Sequence, residues 1–363
     1  MEGKDQVQRD GDHIDHPSDP PSDPPRKPAA EAIDTDLGRY VLRQPLPHAG
    51  LGAWFEAWDR ALSRPVALHF PADQADAPSR VQAQALFVTA MQPGAQLQHA
   101  YIAAVVDVGA GARGPYLATE VLAGRTMAQA LSAGWQPALP RAVLLMQRVA
   151  QGLAHAHAQG VCHGALEPAN IWLVDDAQPK LRAFGVAAAA HASALPELDP
   201  LVIGAGHYLA PEQLLGDVVD ERTDVHAVGA MLYELLSGRQ AYPGHTVSQV
   251  AHALLKLTPP APHLLRPELP VGLSDIVMRA LHRVPAERYA SAAELADALA
   301  AWLKDIPMPA DAMLPPSLTA TAPALGRAAM MGIGGSRWFN AGLLVAAAAA
   351  FWVAWKVWRG PGG

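Results

Sequence analysis

Cysteine is nearly absent: Cys162 is the one copy in 363 residues. An internal disulfide is thereby excluded, and a reducing compartment is expected. Charge is scarce as well. Only 17% of the residues are Asp, Glu, Lys or Arg, while 50% are hydrophobic. That balance supports a sizeable core and leaves room for a membrane segment. The acidic excess is not spread evenly. Residues 1–37 carry ten acidic and four basic side chains, which accounts for −6 of the formal net charge of −7. The remainder is near neutral, so no basic face for nucleic acid is implied. No basic stretch followed by an apolar run opens the chain, and a signal peptide is not expected.

Composition divides the chain. Residues 1–37 are rich in Pro, Asp and Ser and contain the tandem PSDPPSDPP. They cannot bury enough apolar surface to offset the entropy of ordering, which predicts a disordered arm. Residues 38–303 read as one globular domain. Strands are predicted at Arg64–Phe70 and Ala100–Val108, and a helix at Arg141–Gln159 from its apolar spacing. Ser291 and Glu294 form a capping box that starts a helix over Ala292–Leu303. Residues 304–336 return to Pro, Ala, Gly and Thr and read as a linker. Residues 337–358 read as a transmembrane helix, and 359–363 as a short tail.

The membrane reading rests on Trp338–Trp355, 18 residues without a charge. At about 1.5 Å per residue the run spans about 27 Å, close to the hydrocarbon thickness. Trp338 and Phe339 mark one end, and Trp352, Trp355 and Trp358 the other, as an aromatic belt does. The alternative is a buried or interfacial helix, favoured by the weakly hydrophobic Ala346–Ala350. Basic flanks are balanced, so the positive-inside rule sets no orientation. Small residues at four-residue spacing, Ala341, Val345 and Ala349, permit close helix pairing and hence a homodimer.

Within 38–303 a series of short segments falls in a telling order. Gly38-Arg-Tyr opens it, followed by Leu46-Pro-His-Ala-Gly-Leu-Gly52 and Pro65-Val-Ala-Leu-His69. Then come Pro115-Tyr-Leu-Ala-Thr-Glu-Val-Leu122, His163-Gly-Ala-Leu-Glu-Pro-Ala-Asn170 and Ala183-Phe-Gly185. Ala210-Pro-Glu212, Asp224 and Arg288 complete it. In this order and spacing the chain resembles the bacterial Ser/Thr (Hanks-type) protein kinases. The resemblance implies an α+β, bilobal fold: a small β-rich lobe over a larger helical lobe, here with one C-terminal transmembrane helix.

The resemblance also assigns roles, and many positions depart from them. The phosphate-holding lysine is replaced by His69, and its glutamate partner by Ala90. The pair Pro93-Gly94 is expected to break the helix carrying Ala90. The catalytic aspartate is replaced by Ala165, the neighbouring lysine by Glu167, and the metal-binding aspartate by Ala183. Asn170 is the metal ligand that remains, and one neutral amide holds Mg²⁺ poorly against water. Pro47 and Ala49 replace two loop glycines, leaving Gly50 and Gly52. Gly164 replaces the arginine that receives an activating phosphate, and Ala205 replaces a threonine. Residues 185–206 hold only Ser193 as a hydroxyl of that type.

Trp54 takes the place of the residue that roofs the adenine, and Trp172 the place of its floor. The nucleotide slot is then Gly50, Gly52, Trp54, Ala67, His69, Thr119, Glu120 and Trp172. Three readings stand: a slot filled by its own side chains, an aromatic sandwich that still stacks a base, or one indole turned outward. What remains is scaffolding. Glu212 and Arg288 are expected to pair, Asp224 to brace the catalytic loop, and His163 and Phe184 to pack. His13, His16, His191 and His207 lack ligand spacing and read as surface or loop residues, so no metal site is expected.

The functional expectation is a catalytically inactive pseudokinase, not an enzyme, acting as a protein-binding scaffold or regulator. It takes neither ATP nor Mg²⁺, and its unidentified protein partner docks through grooves of the helical lobe or through the N-terminal arm. That domain lies on the cytoplasmic side of the cytoplasmic membrane, held by a single span. The alternatives are a nucleotide-sensing switch without phosphotransfer, or an unusual kinase-like enzyme using His69, Glu167 and Asn170.

Overall fold

The computed structural model describes residues 36–46, 53–70, 77–111, 113–175, 178–185, 206–304 and 306. The arm before residue 36, most of the linker, and the 337–358 span lie outside them, as do Gly50, Gly52, Ser193 and Ala205.

The smaller lobe is built on six antiparallel strands. They are β1 (Asp36–Leu37), β2 (Tyr40–Leu46), β3 (Ala53–Asp59), β4 (Arg64–Phe70), β5 (Val105–Gly111) and β6 (Gly114–Thr119), in the order β1-β2-β3-β4-β6-β5. Asp59 closes the β3–β4 hairpin by accepting the Ala61 and Leu62 N–H groups, a local turn that aspartate favours. Strand alternation then sorts the side chains onto two faces. Phe55, Ala57, Val66, Leu68 and Phe70 pack with Tyr40 and Leu42 on one face. Trp54, Ala67 and Leu117 pack on the other, against Phe87 and Met91 of helix α1 (Ala77–Ala95). Register sets Trp54 opposite His69 on that second face.

The larger lobe contains a three-stranded sheet of β7 (Arg125–Thr126), β8 (Ile171–Asp175) and β9 (Gln178–Leu181). Its helices are α2 (Met127–Ser132), α3 (Leu139–His157), α4 (Pro211–Leu215), α5 (Glu221–Ser237), α6 (Val247–Lys256), α7 (Pro262–Leu265), α8 (Val271–Ala280) and α9 (Ala292–Leu303). Helix α5 is buried on almost every side, the mark of a helix at the centre of a core. Leu145, Met146, Val149 and Leu153 of α3 join Val228, Met231 and Leu232 of α5 and Leu295 and Leu299 of α9 in one cluster. Two lobes of the expected kind, β-rich and helical, are thus present.

Local expectations fared unevenly. Strand Arg64–Phe70 and helix Ala292–Leu303 have the predicted bounds, and Ser291 accepts the Glu294 N–H. The helix predicted at Arg141–Gln159 spans Leu139–His157 instead, because Pro140 is tolerated in a first turn where its missing N–H costs nothing. Ala100–Val108 is strand only from Val105. Its first half bonds elsewhere, through Ala103 N–H to the Leu181 carbonyl and Leu181 N–H to the Tyr101 carbonyl. Helix α1 runs through Pro93 rather than breaking before it. The proline sits in the last turn, and the helix closes just beyond on Gln96 N–H to Pro93 O and Leu97 N–H to Gly94 O. Among the described residues no helix is long and apolar enough to cross a membrane.

Candidate functional site

Asp224, one turn into α5, is buried and holds the loop that precedes β8. Its carboxylate accepts the His163 N–H (2.8 Å), the Gly164 N–H (2.8 Å) and a hydrogen bond from His157 Nε2 (2.8 Å). Burial alone raises its pKa, but these donors win and hold it below the usual carboxylate range. His163 reaches on to the Arg182 carbonyl through Nε2 (2.9 Å) and packs on Phe184 at 4.8 Å. Burial lowers the His163 pKa, so the ring is a neutral donor there. The loop's own polar group, Asn170, donates through its amide to the Ala165 carbonyl (3.0 Å). His157, Cys162 and Asp224 form a potential ligand group, their ligand atoms within 4.8 Å of one another. Asp224 is already engaged by three donors, and burial with nearby carboxylates pushes the thiol up to about 11. The trio therefore reads as loop bracing.

Ala183 adopts φ +67° and Gly185 φ +87°, left-handed conformations that an alanine pays for and a glycine does not. A Cβ on Gly185 would lie 2.5 Å from the Ala90 carbonyl. Helix α1 therefore rests directly on this turn, with Ala90 at the contact.

Arg288 and Glu212 form a bidentate pair, Nη1–Oε1 2.7 Å and Nη2–Oε2 2.8 Å, both side chains buried. Thr223 adds a hydroxyl bond to Glu212. Glu120 accepts the Ala104 N–H (2.9 Å) and pairs with Lys180 (3.0 Å). The Thr119 hydroxyl bonds the Glu120 carbonyl (3.3 Å). His207 is buried and bonded to the Tyr242 carbonyl (2.8 Å), not a surface residue; the turn before α4 packs it inward.

Between the lobes the two tryptophans are both buried, at 3% and 8% exposure. Trp54 stacks near His69 at 4.8 Å. Trp172 donates its indole N–H to the Ala123 carbonyl (2.8 Å). Gly124 follows at φ +109°, where any Cβ would strike the Leu173 carbonyl. Only glycine lets the chain pass β8 so closely. Between the indoles lies a group absent from the sequence reading. The Arg182 guanidinium carbon sits 3.5 Å from the Trp54 ring centroid and 5.1 Å from that of Trp172. Arg182 is 6% exposed, and its Nε finds no acceptor. Burial lowers its pKa to about 10, so it stays charged at neutral pH. No feature of spacing marks this arginine; only its place just before Ala183-Phe-Gly185 could have drawn attention.

Glu167 is half-buried, and burial pushes its pKa up to about 7. A carboxyl raised in this way favours the fold fully below the unfolded value, near 4.5, and that advantage is lost as pH rises through 7. Glu167→Gln should therefore leave stability at pH 4 unchanged and raise it at pH 8 by about 1–3 kcal/mol. Urea midpoints at the two pH values check this, and equal effects at both would refute it.

Family comparisons agree with this architecture. Residues 55–299 match the protein kinase domain model. A probable serine/threonine-protein kinase of Streptomyces coelicolor is 34% identical over 283 residues, covering 76% of this chain and 42% of that protein. The serine/threonine-protein kinase PknL of Mycobacterium tuberculosis is 31% identical over 277 residues, covering 75% and 67%. The crystal structure of the Mycobacterium tuberculosis PknI kinase domain is similar with a TM-score of 0.58 at 26% identity, covering 75% of this chain and 99% of that one. Against the first relatives, the chain spans only 42% and 39% of their length.

Two expectations are overturned by these likenesses: that the chain is not an enzyme, and that it takes neither ATP nor Mg²⁺. The family match and the relatives, named for a reaction that uses ATP and Mg²⁺, stand against both. Both expectations were inferred from replaced side chains at His69, Ala165 and Ala183. With two thirds of its residues inside the matched region, this chain belongs to the protein kinase domain family.

Proposed function

We propose that the chain is a membrane-held, nucleotide-responsive member of the Ser/Thr kinase family that regulates a protein partner. The observation that carries this is the stack of Trp54, Arg182 and Trp172, which joins the small lobe to the large one. Whatever enters that stack changes how the lobes are tied, and a kinase fold can pass such a change to a docked protein.

The relatives' reaction brings ATP as the ligand class. The cleft suits its base, since two buried indoles already hold a planar group between them. The fit for Mg²⁺ is poorer. At the two metal positions Ala183 offers no side-chain oxygen, and Asn170 offers one neutral amide oxygen. No step through the metal follows from these residues. The uncharged Trp338–Trp355 run supports a single membrane span, with the kinase fold on the cytoplasmic side where a lone cysteine stays reduced.

Millimolar ATP should raise the melting temperature of the detergent-purified full chain by mass action, with about 2.7 kcal/mol of stabilisation at a hundredfold excess over Kd. Tryptophan fluorescence should change along the same saturation curve. The absence of either response at saturating ATP, with and without Mg²⁺, would refute the nucleotide reading. The full chain should also stay with membranes through high salt and alkaline washing. Release by those washes would refute the span.

A further inference from the structure

We infer that Arg182 supplies the positive charge by which this cleft holds a nucleotide's phosphates, in a place where the family relies on a metal and a lysine. The inference rests on the nucleotide reading above and names the residue responsible.

A buried guanidinium is costly unless acceptors surround it. Here Nε has none, and no carboxylate among the described residues pairs with the group. Two indole faces offset part of that cost. Neither ring accepts a hydrogen bond from the planar fork, and that fork is suited to phosphate oxygens. The local chemistry also leaves a charge gap. The strand position facing Trp54 is His69, and the residue after Arg182 is Ala183. Two of the places that would face phosphates thus carry neither a lysine nor an aspartate-bound cation, and the guanidinium packs on Trp54, whose ring lies 4.8 Å from that of His69.

The base and the guanidinium are both flat and compete for the same slot between Trp54 and Trp172. When a base enters, Arg182 leaves by side-chain rotation alone. It exchanges two ring contacts for charge-assisted bonds to phosphate. No covalent step is involved. The exchange predicts a pattern that packing alone does not give. Adenosine must displace the guanidinium and offers nothing in return. ATP displaces it and then pairs with it.

The test uses the full chain in detergent, with binding read by tryptophan fluorescence in the presence of EDTA. The wild-type chain should bind ATP without a divalent ion and bind adenosine at least ~10-fold more weakly. Arg182→Met should lose ~10-fold or more in ATP affinity while binding adenosine no more weakly, because methionine keeps much of the volume and removes only the charged fork. Arg182→Lys should recover much of the ATP affinity. Melting curves of the free variants establish that each is folded. ATP bound equally by wild type and Arg182→Met, or bound by wild type only with Mg²⁺, overturns the inference and leaves the nucleotide reading intact. Failure of every adenine ligand under both conditions overturns the two together.

Discussion

Arg288→Met should destabilise the kinase fold by about 3–5 kcal/mol, the range for breaking a buried ion pair from one side. The guanidinium makes five hydrogen bonds: two to Glu212, and one each to the carbonyls of Arg222, His282 and Arg283. Its side chain is fully buried, and that of Glu212 is 5% exposed. Methionine fills much of the volume but leaves the Glu212 carboxylate and three carbonyls without this donor. Burial by itself raises the Glu212 pKa, yet the Arg288 bonds hold it below the usual range. The pair's contribution is therefore complete above about pH 4.5 and is lost as pH falls through the lower folded value. Urea midpoints across that window should fall more steeply for the native chain than for the double variant Arg288→Met, Glu212→Leu. That double variant should also recover part of the single-variant loss, since no orphan charge remains. A cost below 1 kcal/mol for Arg288→Met would show that the pair does not tie these elements together.

The scaffolding was legible because its residues are held by fixed offsets. Asp224, Glu212 and Arg288 could be assigned contacts once the motif order was seen, and the capping residue Ser291 marks where helix Ala292–Leu303 begins, whereas apolar spacing alone set the bounds of Leu139–His157 two residues off. Arg182 was not legible. An arginine at the end of a strand reads equally well as a solvated side chain, and only the packing of two lobes turns it between two indoles. The same limit explains His207, which reads as a loop histidine until Tyr242 folds over to accept its ring N–H. Pro93 misled for a different reason. The helix does end close to the proline, but at Ala95, two residues beyond it, and so past Ala90. The expectation that the chain is not an enzyme rested on replaced side chains alone, and the likeness to serine/threonine-protein kinases stands against it.

Trp172→Ala should cost about 3–5 kcal/mol, the range for emptying a buried tryptophan site. Three losses contribute. The indole packs at the floor of the cleft, 8% exposed. Its N–H satisfies the Ala123 carbonyl just before the tight Gly124 turn. Its face supports one side of the Arg182 guanidinium. The last of these can be isolated by a double-mutant cycle with Arg182→Met. If the guanidinium stacks on the ring, the two changes should be coupled by about 0.5–2 kcal/mol. Arg182→Met alone should cost much less than Trp172→Ala, because removing a buried charge without acceptors relieves a desolvation penalty while it forfeits the ring contacts. Guanidinium chloride midpoints of the four chains give the whole cycle. A Trp172→Ala cost below 1 kcal/mol would mean that the indole does not pack in the cleft. Strict additivity with Arg182→Met would mean that the two groups do not meet there.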